Sequence, residues 1–198
     1  MGRFCYFCGM YKQSIPIILA SKSPRRQELM TSMNLDFKVL LKEVDESYPD
    51  DLLPAEIAIY IAEKKAGAFS EERKDRMVIT ADTIVAYKNE ILGKPGDATH
   101  AREMLSKLSD TNHQVYTGVC IAYKEVLHSF YDVTEVFFSP LTEAQIAYYI
   151  ANYNPFDKAG AYGIQDWIGA VAVQKIIGSY TNVMGLPTEK LYKALSGL

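Results

Sequence analysis

The 198-residue sequence predicts an α/β fold built on a mixed β-sheet with flanking helices. Two observations carry that prediction. Helical and β-rich segments interleave along the chain, and two long β-rich segments adjoin across Lys124-Glu125, the pattern of an antiparallel hairpin. A hydrophobic content of 48% over this length can fill one core or two closely packed lobes.

The elements follow in order. The apolar run at 15–20 reads as a first strand, and Ser21-Lys22-Ser23-Pro24-Arg25-Arg26 reads as a tight loop and helix start. Ser23 suits the N-cap and Pro24 the first helical position, with Leu29, Met30 and Met33 recurring at helical spacing. Residues 36–41 predict a second strand, followed by the acidic loop Glu43-Val44-Asp45-Glu46. Pro54 opens a helix to residue 68, with Ile57, Ile61 and Ala62 as its apolar positions and Lys64 and Lys65 near its C-terminal half, where cations suit the dipole. Segments 77–80 and 84–87 are β-rich and read as interrupted by Ala81-Asp82-Thr83, and Lys88-Asn89-Glu90 reads as a hairpin turn. Pro95-Gly96 marks a turn, and Asp97 caps a helix over 98–108. Strands are expected at 115–123 and 127–138, then a helix capped by Thr142 and a glycine-punctuated loop over 156–165. A strand at 171–177 and a last helix entered through Gly185-Leu186-Pro187 complete the chain.

Composition excludes several functions. The net charge of −3 offers no global attraction to nucleic acid or to an anionic membrane, so anion binding must come from local basic clusters. The apolar runs are strand-length, short of the roughly 20 residues of a spanning helix. The first residues have too short an apolar block for a secretory signal, and with three cysteines in the chain we expect a cytoplasmic protein. Cys5 and Cys8 form a CxxC, but a structural zinc site needs four ligands and no second CxxC or matched His pair follows. Residues 1–14 read as an N-terminal extension of unknown role, with the folded domain over 15–198.

Arg25 and Arg26 stand in the first turn of a helix, where their charge opposes the macrodipole. An arriving anion would resolve that conflict, since free N–H groups, dipole and guanidinium forks together suit phosphate; a solvated basic helix start is the other reading. Asp82 is flanked by apolar residues on both sides, where an ionised carboxylate is costly without partners. It either activates water or holds a divalent ion, or else serves as a turn residue bonded to neighbouring N–H groups. Lys65 and Lys94 gain meaning only jointly with Arg25 and Arg26, since a triphosphate needs several donors; each alone reads as solvated. Glu46 becomes a metal ligand only if its loop folds over Asp82. Gln165 closes the glycine-rich loop, and its amide can pair with a thymine or uracil edge or, flipped, with cytosine. No GxGxxG, P-loop, HExxH or GxSxG is present.

Several ordered segments together resemble the Maf family of nucleoside triphosphate pyrophosphatases. They are Leu19-Ala20-Ser21-Lys22-Ser23-Pro24-Arg25-Arg26, Ala81-Asp82-Thr83-Ile84-Val85, Gly93-Lys94-Pro95, Thr117-Gly118-Val119, Asp157-Lys158-Ala159-Gly160-Ala161-Tyr162-Gly163-Ile164-Gln165, and Gly178-Ser179-Tyr180 with Val183-Met184-Gly185-Leu186-Pro187. The resemblance implies an elongated mixed sheet with two lobes around a nucleotide-binding cleft, and conversion of a nucleoside triphosphate and water to monophosphate and pyrophosphate. It implies Asp82 as catalytic proton acceptor, Arg25, Thr83 and Gln165 as bearing on specificity, and Ser21, Ser23, Arg26, Lys65 and Lys94 as phosphate ligands. A divalent cation, Mg²⁺ or Mn²⁺, is expected at Asp82 with Glu46 as second ligand. The uninterrupted segment ending at Gln165 looks like the branch acting on dTTP and UTP. A 7-methyl-GTP or CTP pyrophosphatase and a septum regulator acting through a protein partner are the alternatives. The implied partner is a small nucleotide, with neither nucleic acid nor membrane, and a homodimer stays open. Two departures from the family stand out: Lys64 stands where an acid is common, and the N-terminal extension has no counterpart.

Overall fold

The computed structural model describes residues 13–88 and 90–197. The expected extension over 1–14, with Cys5 and Cys8, lies outside them except for Gln13 and Ser14. Gln13 is tied down: its amide donates to Asp36 O at 2.7 Å and accepts from Asp36 N at 3.0 Å.

The chain forms β1 (Ile17–Leu19), α1 (Pro24–Ser32), β2 (Phe37–Val39), α2 (Pro54–Gly67), β3 (Met77–Tyr87), β4 (Glu90–Leu92) and α3 (Ala98–Leu108). It continues through β5 (Asn112–Tyr123), β6 (Val126–Phe138), α4 (Glu143–Tyr153), α5 (Trp167–Ala172), β7 (Val173–Ile177), α6 (Tyr180–Val183) and α7 (Thr188–Ser196). A seven-stranded mixed sheet runs in the order β2-β1-β3-β5-β6-β7, with β4 beside β3. β1 is parallel to β2 and β3, and the remaining pairs are antiparallel. The α/β mixed-sheet expectation holds, and among the described residues no helix is long and apolar enough to cross a membrane.

Several expected boundaries move, β2 shrinking to Phe37–Val39 and β5 starting at Asn112, and two further differences change the layout of the sheet. β3 runs unbroken through Ala81-Asp82-Thr83, because β5 pairs with it continuously from Val78↔Ala122 to Ala86↔Gln114. The interruption lies on the opposite edge, where β1 pairs only with residues 77–79 and β4 only with 85–87. Residues 80–84 therefore have no strand neighbour on that side, and the sheet opens there. Val171 and Ala172 belong to α5, so β7 starts only at Val173.

Apolar side chains collect on both sides of this opening. β1, β3, α1 and α7 bury Ile17, Leu19, Met30, Ile79, Leu191 and Leu195 in one cluster. Another, beyond the opening, joins α3, α4 and the 159–164 loop through Leu105, Leu108, Val136, Phe138, Tyr149 and Tyr162. Each fully buried Leu, Ile or Phe contributes about 1.5–3 kcal/mol, so each cluster can hold its own half of the sheet. On the opposite face α2 lies directly on the sheet. A Cβ on Gly118 would come within 2.3 Å of the Ala58 backbone, so only glycine permits this approach. Thr80 Oγ1 secures the same helix by donating to Ala62 O at 2.6 Å.

Candidate active site

The open edge of β3 decides what faces the cleft. Residues 79 and 81 point their carbonyls to that edge: Ile79 O accepts from Ala20 N at 2.9 Å, but Ala81 O has no strand to bond. Arg26 fills the gap. Its Nη1 donates to Ala81 O at 2.9 Å and to Ser21 Oγ at 3.4 Å, its Nη2 to Thr83 Oγ1 at 3.0 Å, and its Nε to Gly185 O at 2.8 Å. Burial pushes the Arg26 pKa down from its ordinary value, with Asp82 working in the opposite direction. Arg26 thus stitches α1, β3 and the Gly185 turn together with four of its five N–H groups, and one Nη2–H is left without a partner among the described residues.

Arg25, one residue earlier, points elsewhere. Its Nη1 meets Asp157 Oδ2 at 3.3 Å across the cleft. Ser23 occupies the N-cap of α1 without a side-chain capping bond, and its own N–H goes to Ser21 Oγ at 3.2 Å. The uncapped first-turn N–H groups beside Arg25 are suited to an anion.

Seven residues, about two helical turns, separate Ala58 from Lys65, so Lys65 shares the face of α2 that Gly118 draws onto the sheet. Its Nζ stands 2.7 Å from Asp82 Oδ1 and 2.9 Å from Glu46 Oε1. Asp82 Oδ2 has no hydrogen bond among the described residues. Lys94 lies 3.8 Å from Glu46 Oε2. Burial opposes ionisation of Glu46, but the Lys65 hydrogen bond and the charges of Lys65, Lys94 and Arg26 outweigh it and hold the carboxyl below its usual range. The acidic loop is itself anchored by Lys64: its Nζ reaches Asp45 Oδ2 at 3.0 Å and Ser47 O at 2.9 Å.

Across the cleft, the loop carrying Gln165 is braced from below. Tyr149, fully buried on α4, donates to Asp166 Oδ2 at 2.7 Å and accepts from Gly163 N at 3.0 Å. A Cβ on Gly163 would stand 2.7 Å from that same Asp166 oxygen and 3.0 Å from Gln165 Nε2. Lys158 joins Asp157 at 2.8 Å and approaches Asp166 at 3.8 Å. Gln165 itself is exposed to the cleft and makes no side-chain hydrogen bond among the described residues, which leaves its amide for a ligand.

Ser21, Ser23, Arg25, Arg26, Glu46, Lys65, Asp82, Thr83, Lys94 and Gln165 all line one cleft of about 1180 Å³. Their functions differ. Thr117 Oγ1 donates to Asn182 O at 2.9 Å, so the 2.9 Å contact between Thr83 and Thr117 is a donation from Thr83. The Thr83 proton is committed inward, and only a lone pair remains for the cleft. Sequence reasoning missed Tyr149, Asp166 and Asn182. Tyr149 had a signal: a tyrosine on the same stripe as Ile146 and Ile150 is buried and needs a partner for its hydroxyl. Asp82 and Glu46 are hard oxygen donors brought within reach of one ammonium, a donor set that fits Mg²⁺ or Mn²⁺.

Fold and site together define an α/β protein with a cation-lined cleft for a polyanion and a carboxylate centre beside it. The chain belongs to the Maf family: the family profile, described as Maf-like protein, matches residues 16–198. A Cytophaga hutchinsonii protein named dTTP/UTP pyrophosphatase is 51% identical over 179 residues, covering 90% of this chain and 82% of that one. A Bacteroides fragilis protein of the same name is 52% identical over 184 residues, covering 92% of this chain and 95% of that one. The solved Ham1 protein of Staphylococcus aureus shares the fold, with a TM-score of 0.51 at 16% identity over 92% of this chain and 98% of that one.

Proposed function

We propose that this protein hydrolyses dTTP and UTP at the α–β anhydride, releasing the nucleoside monophosphate and pyrophosphate in the cytoplasmic nucleotide pool. The observation that carries the reading is the meeting of Asp82 with Lys65 on the open edge of β3, facing the same cleft as Arg25, Lys94 and Gln165. The naming of relatives near 50% identity as dTTP/UTP pyrophosphatases supports dTTP and UTP as substrates over CTP, 7-methyl-GTP or a purely regulatory function.

The chain's own residues divide the work. Asp82 Oδ2 takes a proton from the attacking water, which adds to the α-phosphorus as the bridging oxygen departs with pyrophosphate. Arg25, Lys94, Lys65 and the first-turn N–H groups of α1 receive the charge that builds on the leaving group. Arg26 keeps the open edge in shape. Asp82 and Glu46 would hold a divalent cation, which when bound supplies Lewis-acid neutralisation of phosphate charge. Gln165 pairs with the carbonyl and N–H that thymine and uracil share.

A pyrophosphate-release assay with dTTP, UTP, CTP and 7-methyl-GTP, with and without Mg²⁺ or Mn²⁺, tests this. One pyrophosphate per monophosphate from dTTP and UTP is the expected result. Release of orthophosphate, or preference for another base, overturns it.

A further inference from the structure

Lys65 stands between the two carboxylates assigned to the metal. Asp82 comes from β3 and Glu46 from the loop after β2, yet one ammonium holds both, at 2.7 and 2.9 Å. The Lys65 and Asp82 side chains are only 15% and 13% exposed, so solvent screens the contact poorly. The other Glu46 oxygen faces Lys94 at 3.8 Å. Among the described residues no group of three or more His, Cys, Asp or Glu side chains is placed to hold a metal ion. A hard cation of this kind takes six or so oxygens and is commonly bound by one or two carboxylates with substrate phosphates completing the set. Here both carboxylates already spend an oxygen on an internal cation.

We infer that Lys65 is a resident counter-ion that keeps the Asp82–Glu46 pair from binding a divalent cation until a nucleotide arrives, and that the phosphates then take over the ammonium. The cation specificity of the pair rests on the pyrophosphatase reading, but the counter-ion relationship stands on the two contacts alone. Without a nucleotide, a divalent ion at these oxygens would sit beside an ammonium that has no other anion to move to. With a triphosphate in the cleft, the phosphate oxygens supply both a new partner for Lys65 and the missing ligands. The long flexible stem of lysine allows Nζ to move while the α2 backbone stays in place. Metal and nucleotide therefore strengthen each other's binding, and by linkage the effect is reciprocal.

Mn²⁺ titration followed by electron paramagnetic resonance tests this on the full chain in four arms: the protein alone, the protein with α,β-imido-dUTP against a control of analogue without protein, Lys65→Met without nucleotide, and Lys65→Met combined with Glu46→Gln without nucleotide. The analogue should tighten Mn²⁺ binding by about 5- to 150-fold, the usual span of coupling between sites. Lys65→Met should bind Mn²⁺ without nucleotide at least about tenfold more tightly than the unmodified protein, a fraction of that span. Adding Glu46→Gln to Lys65→Met should abolish the gain. Lys65→Gln, which keeps a polar head, replaces Lys65→Met if the latter does not fold. Equal Mn²⁺ affinity of the unmodified protein and the Lys65 variant, or a gain that survives Glu46→Gln, overturns the inference. Because these arms need no turnover, they decide the counter-ion question even if dTTP is not hydrolysed.

Discussion

Arg26 Nη2 donates to Thr83 Oγ1 at 3.0 Å across the open edge of the sheet, and the Thr83 hydroxyl in turn donates a hydrogen bond inward to Thr117 Oγ1. The first turn of α1 thereby contributes one arginine to architecture and leaves its neighbour, Arg25, for the cleft. Arg26→Ala leaves the Ala81 and Gly185 carbonyls without their donor, and an unpaired buried acceptor costs about 1–3 kcal/mol. Urea unfolding should show a loss of at least about 2 kcal/mol. Arg25→Ala removes only a partly exposed ion pair, so stability should change by less than about 1 kcal/mol while kcat/KM for dTTP falls sharply. Equal destabilisation by the two variants would contradict this division.

Asp82→Asn keeps the shape of the side chain and removes its basicity. Turnover with dTTP should fall by at least about 100-fold, the usual scale for a general base. Near-normal kcat would remove Asp82 from the reaction.

Gln165→Glu retains size but loses both N–H donors, so the thymine or uracil carbonyl would face a carboxylate. The penalty of about 1–3 kcal/mol for an unpaired acceptor corresponds to a loss of tenfold or so in kcat/KM for dTTP and UTP. CTP, whose amino group donates, should lose less or gain. An unchanged ratio among the three substrates would mean that the base is read elsewhere.

Tyr149→Phe deletes the hydroxyl that joins Gly163 N to Asp166. The Gln165 loop should loosen, raising KM for dTTP more than it lowers kcat and narrowing the preference over CTP. Loss of stability with the preference intact would assign Tyr149 to packing alone.

His113 contributes to the acid sensitivity of the fold. It is 2% exposed, its Nε2 meets Tyr162 Oη at 2.7 Å, and its Nδ1 has no partner among the described residues. Burial pushes its pKa down to about 3 from 6.5, so the unfolded chain takes up the proton first. The stability contribution is complete above pH 6.5 and declines as pH falls toward 3; at pH 5 the loss is about 2 kcal/mol. Urea unfolding at pH 8 and pH 5 should show His113→Phe less stable at pH 8 but less sensitive to acid. Parallel losses in both proteins would exclude His113 as the source.

The sequence alone determined most of the elements, because hydrophobic period, prolines, caps and turn residues are local signals: Pro24 and Pro54 open helices, Asp97 and Thr142 cap them, and Lys124-Glu125 joins the long hairpin. It also carried the family, through short ordered motifs, most of which contribute residues to one cleft. What it misplaced was the break at Asp82. Periodicity along one strand cannot say which of its two edges loses a partner, and β3 stays whole only because β5 pairs along its length. Tertiary structure likewise separated Arg25 from Arg26, adjacent in sequence and alike in charge. The physical reason is the unpaired Ala81 carbonyl, an acceptor that exists only once β1 and β4 have stopped short of each other and that the Arg26 guanidinium is placed to satisfy.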